Sequence, residues 1–505
     1  MANAPGQWLP PAPATPSFGS IKVGPAVEGV GYVLFALFIF FTCFTFLKPS
    51  PYDFTAIPTM VLCLMLGIRL HRGALPFVAL ILAFHLCLLA ALVPYLHETG
   101  PSDWTFQSFY LMVTAIFFVM FFADDTQRRV ELGLQAYLAS CLFAAVAGIM
   151  SYFDTLGTGI LFKMDGRAAG VFEDPNVLGS FLILGALYLV HNLLTGRSRS
   201  VVLSLAALLI VLCGIFLSFS RGSWGATVVG MVVMIAMAFR SSRSRGFRRR
   251  IVVLASVTVV VIGALVAGLL TVDNVAERFE DRATVTKDYD QGETGRFGNQ
   301  RRGMAMLVEE PAGFGPLRWR RTFGLEPHNS YIGGFANGGW LGGFAFIALV
   351  LVTSFVGFRL CLTRSPFQRH AQIAWPALFM FFLQAFQIDV DHWRHVYMLL
   401  GMVWALEAAR VSGSQARATP ARPMAGRRCL YAPEMPSITL PVPPQVLQGA
   451  FAIRPEPLQS WQTFSPVPGV PAGEASPGLT VDVSDDRSGF PLPLIRASSS
   501  SGLLG

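Results

Sequence analysis

Long apolar runs recur through most of the chain, and they constrain its fold more than any other feature. Each run is roughly 17 to 25 residues long, enough for a helix to cross about 30 Å of bilayer hydrocarbon. The chain of 505 residues is 53% hydrophobic and only 13% charged, which is too apolar for a set of soluble cores. The sequence therefore predicts an all-α polytopic membrane protein.

About twelve transmembrane helices are expected, with ends that are uncertain by several residues. The candidate spans are 30–47, 54–69, 74–95, 106–123, 131–152, 177–194, 201–217, 224–239, 251–271, 340–361, 371–388 and 395–409. These spans define a transmembrane domain over residues 30–410.

Both ends of the chain differ in composition from the apolar part. Residues 1–29 are polar and rich in proline, so we interpret them as a cytoplasmic segment that precedes a retained first anchor. After Arg410 the composition changes to Pro, Ser, Ala and Gly with few apolar patterns. Such a segment buries too little apolar surface to offset the entropy of folding, so residues 411–505 are predicted to form a disordered cytoplasmic tail.

Arginines collect in alternating short connections, and this bias predicts the orientation in the membrane. Arg128, Arg199 and the cluster 240–250 lie in one set of connections, which the positive-inside rule assigns to the cytoplasm together with both termini. The same distribution explains the net charge of +8 without a nucleic-acid partner. The other connections, including the large loop 272–339, are predicted to face the periplasm, and this loop is partly helical up to Pro311.

Four outward-facing segments concentrate polar residues beside helix ends, although they are far apart in sequence. They are residues 165–176, 218–223, 295–298 and 326–331. We expect them to converge on one membrane face.

Arginine is the residue type in these segments that most favours a phosphate ligand. Arg221 lies between two apolar runs, and Arg296 stands beside two glycines at the start of the loop helix. A planar guanidinium binds phosphate through two parallel hydrogen bonds and stays charged at any working pH, so two such groups would neutralise a departing diphosphate without a metal. The alternative is that these side chains snorkel to lipid phosphates or helix ends.

Histidine and carboxylate side chains supply the remaining candidates. His328 has a near-neutral intrinsic pKa and is able to accept a proton from a sugar hydroxyl, although a lone histidine is more often structural. Asp174 and Asn176 open a helix, where capping is the simpler interpretation and substrate hydrogen bonding the second. Asp389 and Asp391, at a spacing of two, form a weak match to a divalent-cation site.

At these positions the chain resembles the O-antigen ligase and polymerase superfamily of bacterial inner-membrane enzymes. The resemblance covers about residues 30–410 and rests on the order and sidedness of several short motifs. They are Gly166-Arg167 with Gly170 and Asp174-Pro175-Asn176, Ser220-Arg221-Gly222, Gly295-Arg296-Phe297 followed by Pro311, Gly313 and Gly315, and Pro327-His328-Asn329-Ser330-Tyr331 leading to Gly338, Gly339 and Gly342.

The resemblance implies a fold like that of the glycosyltransferase C class and a metal-independent reaction with no cofactor. An enzyme of this kind moves a polysaccharide from undecaprenyl diphosphate to an acceptor sugar on the periplasmic face, and in the ligase branch the acceptor is lipid A-core. Arg221 and Arg296 would hold the diphosphate, and His328 would act as the base. The residues that would support them or bind substrate are Arg167, Asp174, Asn176, Asn329 and Tyr331.

Two other functions remain open at the level of sequence. A polymerase of O-antigen or exopolysaccharide would use the same lipid-linked donor, and a deletion strain would then keep a single capped repeat unit on its lipopolysaccharide. A polysaccharide or lipid transporter would line a path at mid-bilayer with its charges. The candidate charges here cluster at one face, and broken helices paired across inverted repeats are not apparent, so transport is less favoured.

Overall fold

A computed structural model describes residues 25–47, 49–155, 157, 163–164, 166–242, 244–283, 292–293 and 295–418. This part of the chain is almost entirely helical. In chain order the α-helices are α1 Pro25–Phe40, α2 Pro51–Met65, α3 Leu75–Leu92, α4 Thr99–Ala123, α5 Thr126–Tyr152, α6 Pro175–Thr195, α7 Val201–Leu217, α8 Arg221–Ser241, α9 Arg245–Leu269, α10 Asp273–Ala283, α11 Arg296–Glu309, α12 Arg318–Phe323, α13 Ser330–Leu362, α14 Gln368–Gln384 and α15 Arg394–Ala418.

The twelve predicted spans each fall on one of these helices, namely α1 to α9 and α13 to α15. Eight of the helical segments, built on α1, α3 to α6, α8, α9 and α13, are long and apolar enough to cross a membrane, and α7 is a shorter apolar helix. The predicted class of all-α polytopic membrane protein is therefore confirmed. The strands described are β1 Lys163–Met164 and β2 Arg167–Ala168, which form a short antiparallel hairpin.

Helix α6 is the centre of the bundle. Its apolar window is 94% buried, whereas that of α9 is only 6% buried, so α9 lies at the periphery. Helices α5, α7, α8 and α14 all pack against α6, while α3 packs on α13 and α4 packs on α15. A residue in the first turn of α6 is consequently surrounded by the ends of several other helices.

Helix α13 is kinked at Gly339, where φ is 67° and ψ is −172°. The loop that follows α11 fills the kink, since the Trp340 N–H donates to the Pro311 carbonyl over 2.9 Å and the Phe314 N–H donates to Ala336 over 2.8 Å. A Cβ atom on Gly339 would lie 2.7 Å from the Pro311 oxygen. Glycine is required there because both the backbone conformation and the close approach exclude a side chain.

The two largest differences from the predicted element boundaries are at α13 and α15. The large loop was expected over 272–339, but α13 begins at Ser330, so its first turns belong to the helix rather than to the loop. Helix α15 runs to Ala418, past the predicted start of the tail at residue 411. Residues 1–24 and 419–505, with most of the predicted terminal segments, lie outside the described residues.

Two arginines of the large loop form ion pairs with a single carboxylate. The guanidinium groups of Arg318 and Arg321 both donate to Glu98, which lies at the N-terminal end of α4. The Arg318 guanidinium also stacks 3.9 Å from the centre of the Tyr95 ring. These contacts hold α12 against the connection between α3 and α4.

Candidate functional site

The turn between α7 and α8 presents Arg221 at the start of a helix. Phe219, which is buried, adopts a left-handed backbone conformation with φ of 46°, and this reverses the chain within three residues. The Ser220 hydroxyl caps α8 by accepting from the Ser223 N–H over 3.3 Å. Arg221 is therefore the first residue of α8, where the unpaired N–H groups carry partial positive charge.

Arg167 ties the start of α6 to this turn. It lies on β2, is only 7% exposed, and donates from Nε to the Ser218 carbonyl over 2.8 Å. Its Nη2 donates to the Asn176 side-chain oxygen, also over 2.8 Å. The last turn of α7 and the first turn of α6 are thus joined through one buried guanidinium.

Asp174 caps α6. Its carboxylate accepts from the Asn176 N–H over 2.7 Å, as expected for an aspartate before a helix. Its side chain also borders a separate cavity of about 680 Å³, which is lined by Asp53, His392 and Arg394 as well. Asp174 and Asn176 consequently face different spaces, although they are two residues apart.

Arg296 begins α11 and contacts the turn after α14. Its Nη1 donates to the Gln387 carbonyl over 3.3 Å. On the same helix Gln300 donates to the Pro327 carbonyl over 2.7 Å. Helix α11 is therefore fastened both to the turn that precedes α13 and to the turn that precedes α15.

A cavity of about 180 Å³, named here the arginine cavity, brings these segments together. Four of the predicted site residues line it, and they come from three of the four outward-facing segments. The full lining is Arg167, Asn176, Ser180, Phe219, Ser220, Arg221, Gly222, Ser223, Arg296, Gln384, Gln387 and Ile388. The predicted convergence of the outward-facing segments is thus seen for these residues.

Uncharged polar groups complete the wall of the arginine cavity. The Ser180 hydroxyl lies 3.0 Å from that of Ser223 and donates to the Gln384 side-chain oxygen over 2.7 Å. The Gln384 amide in turn donates to the Gly222 carbonyl over 3.4 Å. Gln384 and Gln387 are not among the predicted site residues, because a glutamine near the end of an apolar segment carries no distinctive pattern.

His328 stands beside the arginine cavity, next to Asp389. The His328 Nδ1 atom lies 3.5 Å from a carboxylate oxygen of Asp389, and Asp389 directly follows Ile388, which lines the cavity. His328 has a left-handed backbone with φ of 46°, a conformation that is uncommon outside glycine and that clusters at functional sites. Its side chain is 45% exposed and so remains open to a substrate.

The carboxylate of Asp389 raises the pKa of His328, because the contact favours the protonated imidazolium. Burial of the ring and the charge of Arg296 act in the opposite direction. Glu326 also has a raised pKa, chiefly because it is removed from water. The imidazole therefore titrates within a small cluster of acidic groups.

Asn329 and Tyr331 hold the histidine turn in place. The Asn329 side chain caps α13 by accepting from the N–H groups of Tyr331 and Ile332, and its own N–H donates to Asp389 over 3.0 Å. The Tyr331 hydroxyl donates to the Phe382 carbonyl over 2.8 Å. These two predicted site residues lie outside the lining of the arginine cavity. Tyr331 ties α13 to α14, and Asn329 ties it to the turn after α14.

The two carboxylates of the weak cation motif point to different partners. Asp389 contacts His328, whereas an Asp391 oxygen lies 3.2 Å from Nδ1 of His392. The His392 Nε2 atom is 3.1 Å from the Trp104 carbonyl. Within the described residues no group of three or more His, Cys, Asp or Glu side chains is arranged to hold a metal ion.

Comparison with known protein families covers part of this site. Residues 205–347 match the family described as O-antigen ligase. The matched segment is O-antigen ligase-like. The matched segment contains Arg221, Arg296 and His328, and it confirms the resemblance to the O-antigen ligase and polymerase superfamily. The match supports a ligase-like or polymerase-like function of the glycosyltransferase kind. No curated protein matches the chain.

Proposed function

We propose that this O-antigen ligase-like chain transfers a polysaccharide from undecaprenyl diphosphate to a sugar hydroxyl of lipid A-core. The observation that carries the proposal is the arginine cavity, where Arg167, Arg221 and Arg296 from distant segments line one small space. Three guanidinium groups around such a volume suit a diphosphate, because each phosphate carries charge on several oxygens. Asn176 adds an uncharged hydrogen-bonding group to the same wall.

Arg221 and Arg296 share a feature that strengthens their affinity for phosphate. Each is the first residue of its helix, α8 and α11 respectively. The free N–H groups and the dipole at a helix start favour negative charge, so side chain and backbone act in the same direction. Arg167 is held by its two hydrogen bonds and positions the surrounding helix ends.

His328 accepts the proton of the acceptor in the proposed reaction. The hydroxyl oxygen of the acceptor sugar forms a bond to the anomeric carbon of the donor, and its proton passes to the imidazole. The bond from the anomeric carbon to the diphosphate breaks, and the electron pair remains on the diphosphate oxygen. Arg221 and Arg296 stabilise this developing charge, and the single displacement inverts the configuration at the anomeric carbon.

The proposed location is the bacterial inner membrane, with both termini in the cytoplasm and the arginine cavity at the periplasmic face. The distribution of arginines among the connections supports this orientation. The substrates agree with it, since a polymer assembled on a carrier lipid and a lipid A-core acceptor would meet at the outer leaflet.

Transfer by purified full-length variants tests the proposal. With lipid-linked glycan, lipid A-core and a chelator, Arg221→Ala and Arg296→Ala should each slow product formation by about 100-fold or more, because a group that stabilises the leaving charge is lost. His328→Ala should slow it by about 100-fold to 10,000-fold. The measurement is the rate at which labelled core shifts to polymer on a gel.

Arg301→Ala is the matched control for Arg296, since Arg301 is exposed on the same helix and lies outside the lining of the arginine cavity. Its rate should stay within about twofold of wild type. Arg221→Lys keeps the charge but loses the planar fork, so an intermediate rate is expected. Wild-type rates in His328→Ala or Arg221→Ala would exclude the proposed mechanism.

A further inference from the structure

A second polar cavity lies at the opposite ends of the helices that carry the arginine cavity. It has a volume of about 910 Å³ and is named here the distal cavity. Helix α6 carries Asn176 at one end and Asn192 at the other, and α14 carries Gln384 at one end and Arg369 at the other. At 1.5 Å per residue these pairs are separated by about 22 to 24 Å, so the two cavities are distinct.

The floor of the distal cavity is a buried network around Glu131. Arg369 donates to Glu131 over 2.7 Å and to Asn192 over 2.7 Å. The Tyr188 hydroxyl donates to the other Glu131 oxygen over 2.6 Å, and His370 lies 3.2 Å from the carboxylate. The negative charge of Glu131 is therefore already compensated within the protein and does not repel an anion.

The rim of the distal cavity is positively charged. Arg128, Arg197 and Arg199 are exposed and line it, and among the described residues none of these three forms an ion pair. The carboxylate facing them at the rim is that of Asp125. Three arginines without an ion-pair partner among the described residues, against one carboxylate, give the entrance an excess of positive charge.

Three of the residues that line the distal cavity each carry a buried polar atom without a protein partner in the described part of the chain. His370 is only 5% exposed, and its Nδ1 atom has no hydrogen-bond partner in the described part of the chain. The same holds for Ser198 Oγ and for Arg369 Nε. Buried polar atoms are normally satisfied, so these residues keep unused hydrogen-bonding capacity beside the cavity.

We propose that the distal cavity binds a phosphate-bearing anion, and in the membrane the headgroup of an anionic phospholipid, at the face opposite the arginine cavity. The volume is within the range of small-molecule sites. Arginine is the preferred partner of phosphate because of its rigid, doubly donating fork. This site is independent of the proposed transfer reaction, since none of its lining residues belongs to the arginine cavity.

Binding of a fluorescent phosphatidylglycerol to the full-length protein in detergent tests the proposal. Arg197→Gln together with Arg199→Gln should weaken binding at least about tenfold, because each arginine near an anionic headgroup contributes to the affinity. The conservative pair Arg197→Lys with Arg199→Lys keeps the charge and should bind with intermediate affinity. Fluorescent phosphatidylcholine, whose headgroup is neutral overall, should bind at least about tenfold more weakly than phosphatidylglycerol to wild type.

The matched control is Arg245→Gln together with Arg249→Gln. These arginines are exposed at the start of α9, at the same end of the bundle, and do not line the distal cavity. Their replacement removes the same charge and should change affinity less than about twofold. Equal losses in the two glutamine pairs, or equal binding of the two lipids, would overturn the proposal.

Competition distinguishes the two sources of phosphate. Inorganic pyrophosphate is added as the competitor. If it displaces the labelled lipid from wild type, and does so less from the Arg197→Gln and Arg199→Gln pair, the cavity also binds soluble phosphates. Lipid binding that resists pyrophosphate identifies a headgroup site with acyl-chain contacts. Both results support an anion site, provided that the glutamine pair shows the loss and its control does not.

Discussion

At the scale of single residues, the candidate site depends on His328 and its neighbour Asp389. The sequence singles out His328 because it follows a proline in an outward-facing segment. Its carboxylate partner lies about sixty residues further along the chain, in the turn between α14 and α15. From the sequence alone, Asp389 is only one member of a weak cation motif. Only the packing of that turn against α13 brings the two side chains within 3.5 Å.

Asp389→Asn should shift the pH dependence of transfer to lower pH. The Asp389 carboxylate raises the pKa of His328, and the base is active only when it is deprotonated, so the rate rises as the pH passes upward through that pKa. Loss of the negative charge lowers the pKa of His328 and moves the rise of kcat/KM to lower pH. The asparagine oxygen still accepts from the Asn329 N–H, which preserves the turn.

Asp391→Asn is the control for this prediction. Asp391 contacts His392 instead. Its replacement should leave the rise of kcat/KM at the same pH as in wild type. If kcat/KM of Asp389→Asn rises at the wild-type pH, or if both variants show the same shift, Asp389 does not set the protonation of the base.

At the scale of elements, the kink in α13 determines where the histidine turn sits. The sequence predicts the span from residue 340, because glycines and polar residues before it weaken the apolar signal. The helix begins instead at Ser330, and the loop after Pro311 packs into the break at Gly339. The start of α13 thereby places His328 and Asn329, which directly precede it, beside the turn after α14.

Gly339→Ala should destabilise the protein by about 1–3 kcal/mol, because a side chain at this backbone conformation is strained and its Cβ would meet the Pro311 carbonyl. Thermal unfolding in detergent, followed by intrinsic fluorescence, measures the change. Gly333→Ala is the matched control on the same helix. Its Cβ would have no neighbour closer than 3.8 Å, and alanine favours a helix, so an unchanged or higher Tm is expected. Equal losses for the two variants would contradict this account of the kink.

At the scale of the whole molecule, α6 and α14 link two polar sites at opposite ends of one bundle. The arginine cavity joins the starts of α6, α8 and α11 with the end of α14. The distal cavity joins the end of α6 with the starts of α5, α7 and α14. An antiparallel bundle produces this arrangement because residues near the opposite ends of one helix necessarily reach opposite faces.

Labelling from one side of sealed vesicles tests the predicted orientation. In a background without the native cysteines, His97→Cys and Arg364→Cys place thiols at two exposed positions that are predicted to face the periplasm and the cytoplasm. A membrane-impermeant maleimide added to right-side-out vesicles should label position 97 and not position 364 until detergent is added. The reverse pattern would place the arginine cavity on the cytoplasmic side and contradict the proposed function.

The sequence by itself determined the class of the protein, the approximate position of each helix and the identity of the charged candidates. It does so because the free energy of transferring a segment into lipid depends on the composition of that segment alone. A charged residue between two apolar runs is likewise recognisable from the sequence alone. The family match confirms the resemblance, and the long apolar helices confirm the class.

The tertiary structure alone decided which candidates meet. Arg167, Arg221 and Arg296 line one cavity, whereas Asp174 caps a helix and borders another space. It also supplied Gln384, Gln387 and Asp389, whose importance depends on contacts with residues far away in the chain. Local sequence does not encode these contacts, because the pairing of helix ends is set by packing of the whole bundle around α6 and by the kink at Gly339.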